Sequence, residues 1–183
     1  FTKKMESEWK SNDSLSFGFL SREYYYADLL MDEILSENLA GVTRLLEVHR
    51  ASSDVVVPER GVAALHLLAG LENEDFSHGV MVKVLTGGGD PNVRTEEGLT
   101  PVHVAAMWGR SRVLEVLLSN GGDPTLHDFE MKLNAEDYAL REHQWKAYGV
   151  LTTFAVIAED LDHYAKYIDD ESSCEGRTIK SNQ

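Results

Sequence analysis

The sequence predicts an all-α solenoid, a stack of short helical pairs with a helical cap at the N-terminal end and a further helix at the C-terminal end. Two observations carry this prediction. The run Gly-Gly-Asp-Pro occurs at residues 88–91 and again at 121–124, which sets a repeat of 33 residues. Within each repeat, apolar residues recur at the three- and four-residue spacing of amphipathic helices. One such unit cannot bury its apolar face alone, so neighbouring units must stack.

The first predicted unit is a cap repeat over residues 24–50. It follows a polar segment at 1–16, which we interpret as a flexible arm or a non-native remnant. The whole repeat domain then covers residues 17–168. After Asn38 a second helix is expected, and two helices without a connecting finger are typical of a terminal unit. The first helix is expected to place Ala27, Leu30, Ile34 and Leu35 on one side, and the second to carry Val42, Leu45, Leu46 and Val48.

The second repeat, at 58–90, is longer than the others. Gly61 and His66 lie 37 residues before Gly98 and His103, whereas the repeat itself is 33 residues, so four residues are inserted. We expect the insertion at residues 72–75, where the two helices join. The predicted outer helix then carries Val80, Val82, Val84 and Leu85.

The third repeat, at 91–123, has the most regular local signals. Thr100 is positioned to cap a helix, with Pro101 at the first helical position, where a proline removes no needed donor. Gly121 follows the outer helix, where a left-handed backbone favours glycine. Leu117 is predicted to lie at the centre of the outer helix and in the core.

The fourth repeat, at 124–152, is degenerate because its finger at 126–133 has no glycine and one extra residue. A separate C-terminal helix is predicted over 153–168, carrying Phe154, Ile157 and further apolar positions. A polar tail at 169–183 follows, and its composition is typical of disorder.

The repeat length and the run Thr100-Pro101-Val102-His103-x-Ala105 together resemble an ankyrin repeat. The resemblance implies an ankyrin-repeat solenoid with a concave groove that binds a protein or peptide. It also gives His66 and His103 a structural position, in which a buried, hydrogen-bonded ring bridges neighbouring fingers.

A longer match covers residues 60–150. The runs 63–70, 88–94, 99–109, 114–119 and 123–128, together with the lengthened second repeat, resemble the ankyrin region of the LEM-domain GIY-YIG endonucleases. Members of that family carry a LEM domain and a nuclease that cuts branched or bridging DNA. Neither Gly-Ile-Tyr nor Tyr-Ile-Gly occurs in this chain, so any such nuclease belongs to residues outside it.

Composition limits the function classes. Acidic residues outnumber basic ones by 31 to 17, and the net charge of −14 disfavours direct nucleic-acid binding and favours a basic partner. A single cysteine excludes a disulfide framework and predicts an intracellular protein, cytoplasmic or nuclear. No apolar run is long enough for a membrane helix. We find no catalytic, cofactor-binding or metal-binding pattern, so this chain is expected not to be an enzyme and to need no cofactor.

The predicted binding surface consists of the fingers at 92–97 and 125–131 and the inner-helix ends at 70–73, 107–108 and 141–142. Aromatic residues, Met and Arg are enriched at the centres of protein interfaces. Trp108 has two interpretations, because its ring either faces the groove or packs in the core. Self-association is a further alternative. The predicted partner-binding residues are Arg94, Glu96, Glu97, Met107, Trp108, His127, Phe129, Met131, Arg141 and Glu142.

Overall fold

A computed structural model describes residues 15–174, with side chains described from Arg22 to Asp160. These residues form eight helices. Most of the predicted arm at 1–16 and part of the predicted tail at 169–183 lie outside the described residues. The helices are α1 (Leu15–Leu35), α2 (Leu39–Glu47), α3 (Ala64–Gly70), α4 (Glu74–Thr86), α5 (Pro101–Met107), α6 (Ser111–Ser119), α7 (Ala135–Arg141) and α8 (Trp145–Cys174).

The helices form two layers, which confirms the predicted all-α solenoid. The inner layer places α1, α3, α5 and α7 side by side, and the outer layer does the same with α2, α4, α6 and α8. Buried side chains between the layers make one continuous core. Leu117 is fully buried in α6, as predicted. In the described residues the one β-type pairing is an isolated bridge between Val57 and Val62.

The local signals of the third repeat are confirmed. Thr100 caps α5, where its side chain accepts from the backbone N–H of His103, and Pro101 is the first residue of the helix. Gly121 has φ +89°, so the left-handed position after α6 is occupied by the residue that adopts it without strain. These features fix where each short helix begins and ends.

The sequence predicts the four-residue insertion of the second repeat in the connection at 72–75. The structure has it within a helix instead. The connections α3–α4 and α5–α6 both have three residues, but α4 has 13 residues and α6 has 9. The insertion therefore adds about one turn to the outer helix. Four residues are close to one helical turn, so Val80, Val84 and Leu85 keep a buried position. Val82 belongs to the same outer helix, as predicted, and is exposed.

The two terminal units differ from the predicted boundaries. The outer helix of the fourth repeat and the predicted separate helix at 153–168 are one helix, α8, because neither Gly nor Pro interrupts residues 150–174. Helix α8 also includes the first part of the predicted tail. At the other end, α1 begins at Leu15, before the predicted cap. Leu35 and Val48 are exposed at the helix ends.

Candidate functional site

His66 supports the third finger, defined as residues 92–99, from the helix below it. Its Nδ1 accepts the backbone N–H of Ala63 at 3.2 Å, so the ring proton lies on Nε2, which donates to the carbonyl oxygen of Leu99 at 3.0 Å. Burial lowers the pKa of His66 below its usual value, although these hydrogen bonds oppose the shift. The neutral ring thus connects a helix start to the next finger.

The third finger itself is closed by short local contacts. Thr95 accepts the backbone N–H of Leu99 at 3.2 Å through its hydroxyl oxygen, and Gly98 takes a left-handed backbone with φ +84°. The side chains of Glu96 and Glu97 are exposed. The predicted acidic residues of this finger therefore lie at its solvent-facing tip.

The fourth finger, defined as residues 125–133, is organised around one buried carboxylate. Asp128 occupies the position of Thr95 one repeat earlier and accepts the backbone N–H groups of Glu130, Met131 and Leu133 at 2.8, 2.6 and 2.8 Å. Burial disfavours ionisation of Asp128, but these three donors outweigh it, so its pKa lies below the usual value. The carboxylate thereby closes a finger that has no glycine.

His103 holds the position of His66 but lacks the second contact. Its Nδ1 accepts the backbone N–H of Thr100 at 3.1 Å, and its Nε2 is buried without a hydrogen-bond partner among the described residues. The ring of Tyr138 stands edge-on to it, with ring centroids 5.7 Å apart. Burial lowers the pKa of His103 below its usual value, although the backbone carbonyls of Leu126 and Leu133 oppose the shift. The fourth finger thus interacts with the His103 ring more weakly than Leu99 interacts with His66.

The two fingers are connected through Arg94 and Phe129. One guanidinium nitrogen of Arg94 donates to the carbonyl oxygens of Gly98 and His127 at 3.1 and 3.0 Å. The guanidinium carbon lies 5.1 Å from the centre of the Phe129 ring. The ring also lies against Gly98, where an added Cβ would be 2.7 Å from it. Arg94 and Phe129 therefore hold neighbouring fingers together, while about half of Phe129 remains exposed.

The contacts of Arg141 join the fourth finger to the end of α7. A guanidinium nitrogen of Arg141 lies 2.8 Å from the sulfur of Met131, and Nε of Arg141 is 3.3 Å from the Glu142 carboxylate. The backbone N–H of Phe129 donates to the Glu97 carbonyl oxygen at 2.7 Å, which links this finger to the previous one. The structure thus brings the predicted finger residues and the 141–142 turn into one connected surface.

Met107 and Trp108 lie at the other end of the inner helix α5, apart from the contacts of that surface. Trp108 is 57% exposed, and its indole lies near Gly70 of the preceding repeat, where an added Cβ would be 3.6 Å from the ring. The side chain of Met107 is half-buried. Trp108 is thus placed at the surface and not in the core.

Sequence reasoning did not identify two features of this region. Trp145 begins α8 and is 64% exposed, next to the ring of His143. A comparison of residue 145 with Ser111, its counterpart at the start of α6, would have shown an unusual aromatic residue. The role of Asp128 was missed as well, and its signal was an acidic residue in place of Thr95 within a finger that lacks glycine.

No metal-binding or membrane-spanning feature is found in the described residues. Within 15–174, no group of three or more His, Cys, Asp and Glu side chains is arranged to hold a metal ion. None of the helices described there is both long enough and apolar enough to cross a membrane.

Comparison with known proteins gives a family match and several relatives. Residues 30–128 match the family model described as ankyrin repeats in three copies, which covers more than half of the chain. In the mouse inactive serine/threonine-protein kinase TEX14, 85 residues are 42% identical to this chain; they make up 46% of the chain and 5% of the kinase.

Two further relatives match somewhat more than half of the chain. The chicken nuclear factor NF-kappa-B p105 subunit is 28% identical over 104 residues, which is 57% of this chain and 10% of that protein. The mouse protein phosphatase 1 regulatory subunit 27 is 34% identical over 99 residues, which is 52% of this chain and 58% of that protein. The chain therefore spans less than two thirds of the length of each of these relatives.

Proposed function

The chain belongs to the ankyrin-repeat family, and on this premise we propose that it binds a protein or peptide partner through the surface formed by its third and fourth fingers and the ends of α5 and α7. Ankyrin repeats generally mediate protein–protein interaction, which supports a non-enzymatic role for this chain. The observation that carries the proposal is the exposure of Trp108 at the end of α5 and of Phe129 and Met131 on the fourth finger. Large apolar groups of this kind supply most of the affinity at many interfaces.

The charge of this surface favours a basic partner segment. The carboxylates of Glu96 and Glu97 are exposed, whereas Arg94 is hydrogen-bonded to two backbone carbonyls and Arg141 is paired with Glu142. Two of the cations are thus engaged within the molecule, while the finger-tip carboxylates remain available. We propose that the partner presents Lys or Arg to the finger tips and an apolar side chain to Phe129.

A peptide selection on the immobilised chain tests this proposal with a defined probe. A displayed random peptide library should yield binders enriched in Lys or Arg beside an apolar residue. Trp108→Ala should weaken the selected peptide by roughly 30-fold, which corresponds to about 2 kcal/mol. Trp145→Ala is the matched control, because it removes an equally exposed indole from the outer layer. Equal effects of both variants, or selected peptides rich in Asp and Glu, would contradict the proposal.

The resemblance of residues 60–150 to the LEM-domain endonucleases supports a second and narrower candidate. In that case this chain is the regulatory region of an enzyme that acts on branched or bridging DNA. Cloning of the complete transcript tests it, because a LEM domain and a GIY-YIG pair must be encoded downstream. The purified chain should not cut branched DNA with or without divalent metal. An intracellular location, cytoplasmic or nuclear, remains a prediction from the single cysteine.

A further inference from the structure

Helix α8 forms one side of a groove on the outer layer of the solenoid. The groove has a volume of about 530 Å³ and lies between α6 and α8. Leu118 of α6 and Val150, Phe154 and Ile157 of α8 supply its apolar lining, and Glu115 and Lys146 are among its polar residues. Ile157 is 52% exposed, so the groove is open to solvent.

The apolar residues of this wall belong to a longer pattern in α8. Val150, Phe154 and Ile157 follow a spacing of four and three residues, and the sequence continues it with apolar residues at 161, 164 and 168. This is the heptad spacing of a coiled-coil seam. The pattern ends at both sides, because Ala147 is fully buried in the domain and the next seam position after 168 is Glu171.

The seam is symmetric about residue 159. In an antiparallel pair of α8 helices centred there, residue 150 lies opposite 168, residue 154 opposite 164, and residue 157 opposite 161. Every apolar position of the first half thus faces an apolar position of the second half. Two-fold interfaces need this self-complementarity, since the same surface of both copies must meet.

The charges along α8 favour the antiparallel orientation over the parallel one. Residues 159–174 carry six acidic residues and one lysine, whereas residues 145–158 carry a single lysine and no acidic residue. A parallel pair would place the two acidic halves together. An antiparallel pair places each acidic half beside the half that contains Lys146.

We propose that a second copy of this chain docks on this groove, with the two α8 helices antiparallel and each distal half lying in the groove of the other copy. The seam from 150 to 168 spans about 27 Å of helix. This surface lies on the outer layer, so it leaves the fingers free. The proposal is independent of the binding function proposed above.

Sedimentation equilibrium of the complete chain tests the proposal directly. At concentrations up to about 100 μM the chain should form a dimer whose weight fraction rises with concentration. Ile157→Asp should weaken dimerisation at least about tenfold. The matched control is Val156→Asp, which is 58% exposed one position outside the seam and should change the dimer constant by less than about twofold. Because both side chains are exposed, neither variant should unfold the chain, and circular dichroism verifies this.

A crosslinking experiment tests the register. In the antiparallel pair Asp160 flanks the seam beside residue 161, so the two copies of Asp160 lie near each other on one side of the two-fold axis. In a Cys174→Ser background, Asp160→Cys should therefore give a disulfide-linked dimer on mild oxidation, and Glu159→Cys should not, because position 159 faces away from the seam. A monomer at all concentrations, equal effects of Ile157→Asp and Val156→Asp, or equal crosslinking at 159 and 160 would each overturn the proposal.

Discussion

The third and fourth fingers are stabilised by different interactions. The third finger is held from below by the Nε2–H of His66, and its turn uses Gly98. The fourth finger is held from within by the carboxylate of Asp128, while Nε2 of His103 has no partner in the part of the chain that the structure describes. In the degenerate repeat the contact between the histidine ring and the finger is therefore weaker, and a carboxylate inside the loop supports the finger.

The two kinds of support contribute differently to the stability of each finger. The hydrogen bond from His66 couples the stability of the third finger to the helix beneath it. The three bonds to Asp128 stabilise the fourth finger without involving its neighbours, and hydrogen bonds to an ionised acceptor are stronger than neutral ones. We infer that the terminal repeat, which has a neighbour on one side, depends less on its neighbours for the shape of its finger. The following predictions test this comparison, beginning with the largest expected effect.

Truncation of the core of the third repeat should have the largest effect. Leu117→Ala is expected to cost roughly 2–5 kcal/mol of unfolding free energy, because Leu117 is fully buried between repeats. The equivalent change in the fourth repeat is Leu151→Ala, also at a fully buried position. Because stability in a solenoid is shared with neighbours, Leu117→Ala should also loosen the repeats on both sides. A melting temperature lowered by less than about two degrees would contradict this placement.

Removal of the fourth finger's carboxylate should cost about 3 kcal/mol. Asp128→Ala leaves three backbone donors without their acceptor, and each buried donor left unsatisfied is costly. Thr95→Ala, at the equivalent position of the third finger, removes one neutral hydrogen bond and should cost about 1 kcal/mol. Urea unfolding of both variants measures the difference. Equal losses would mean that Asp128 does not hold the fourth finger.

Mild acid should weaken the starts of α3 and α5 before the fourth finger, because protonation of His66 or His103 at Nδ1 removes the acceptor of the Ala63 or Thr100 N–H. The pKa of His66 is lowered in the folded state by burial, so the unfolded chain binds the proton more readily. The contribution of neutral His66 to the free energy of unfolding is complete above pH 6.5, the usual pKa of histidine. It is lost as the pH falls through the pKa that His66 has in the folded state. Asp128 has a pKa below its usual 3.8, so its contribution is lost only in stronger acid.

Hydrogen exchange near pH 5, compared with pH 7 after correction for intrinsic rates, measures this order. The amides of Ala63 and Thr100 should lose more protection than those of Met131 and Leu133. The loss in global stability over this range should be smaller than that caused by Asp128→Ala. Earlier opening of the fourth finger would reverse our assignment of the two supports.

The smallest expected effect is a stabilisation. Lys132 has φ +58° at the position that Gly98 occupies in the third finger. A left-handed backbone is unfavourable for a residue with a side chain, so Lys132→Gly should stabilise the chain by about 0.5–1 kcal/mol. Gly98→Ala is the converse change and should destabilise it, because its Cβ would also collide with Phe129. Thermal melts of the two variants should shift in opposite directions.

The sequence was sufficient for the stacking of repeats and for the third repeat, where Thr100, Pro101 and Gly121 act through local backbone preferences. It was insufficient where a feature depends on tertiary placement. The function of Asp128 exists only once three amides converge on it, and the exposure of Trp108 depends on its neighbour Gly70. The predicted break near 152 had no Gly or Pro to support it. The repeat length predicts a helix end there, whereas the helical pattern of apolar residues continues.

The two buried histidines provide a spectroscopic pair. Each ring accepts a backbone N–H at Nδ1, from Ala63 in one case and Thr100 in the other, so both are the Nε2–H tautomer. The Nε2 proton of His66 is hydrogen-bonded to Leu99, and that of His103 is not bonded among the described residues. In a ¹⁵N-labelled sample the proton of His66 should therefore resonate downfield of that of His103. A ligand that reshapes the fourth finger should move the resonance of His103 and leave that of His66 in place, which reports where binding occurs without an added probe molecule.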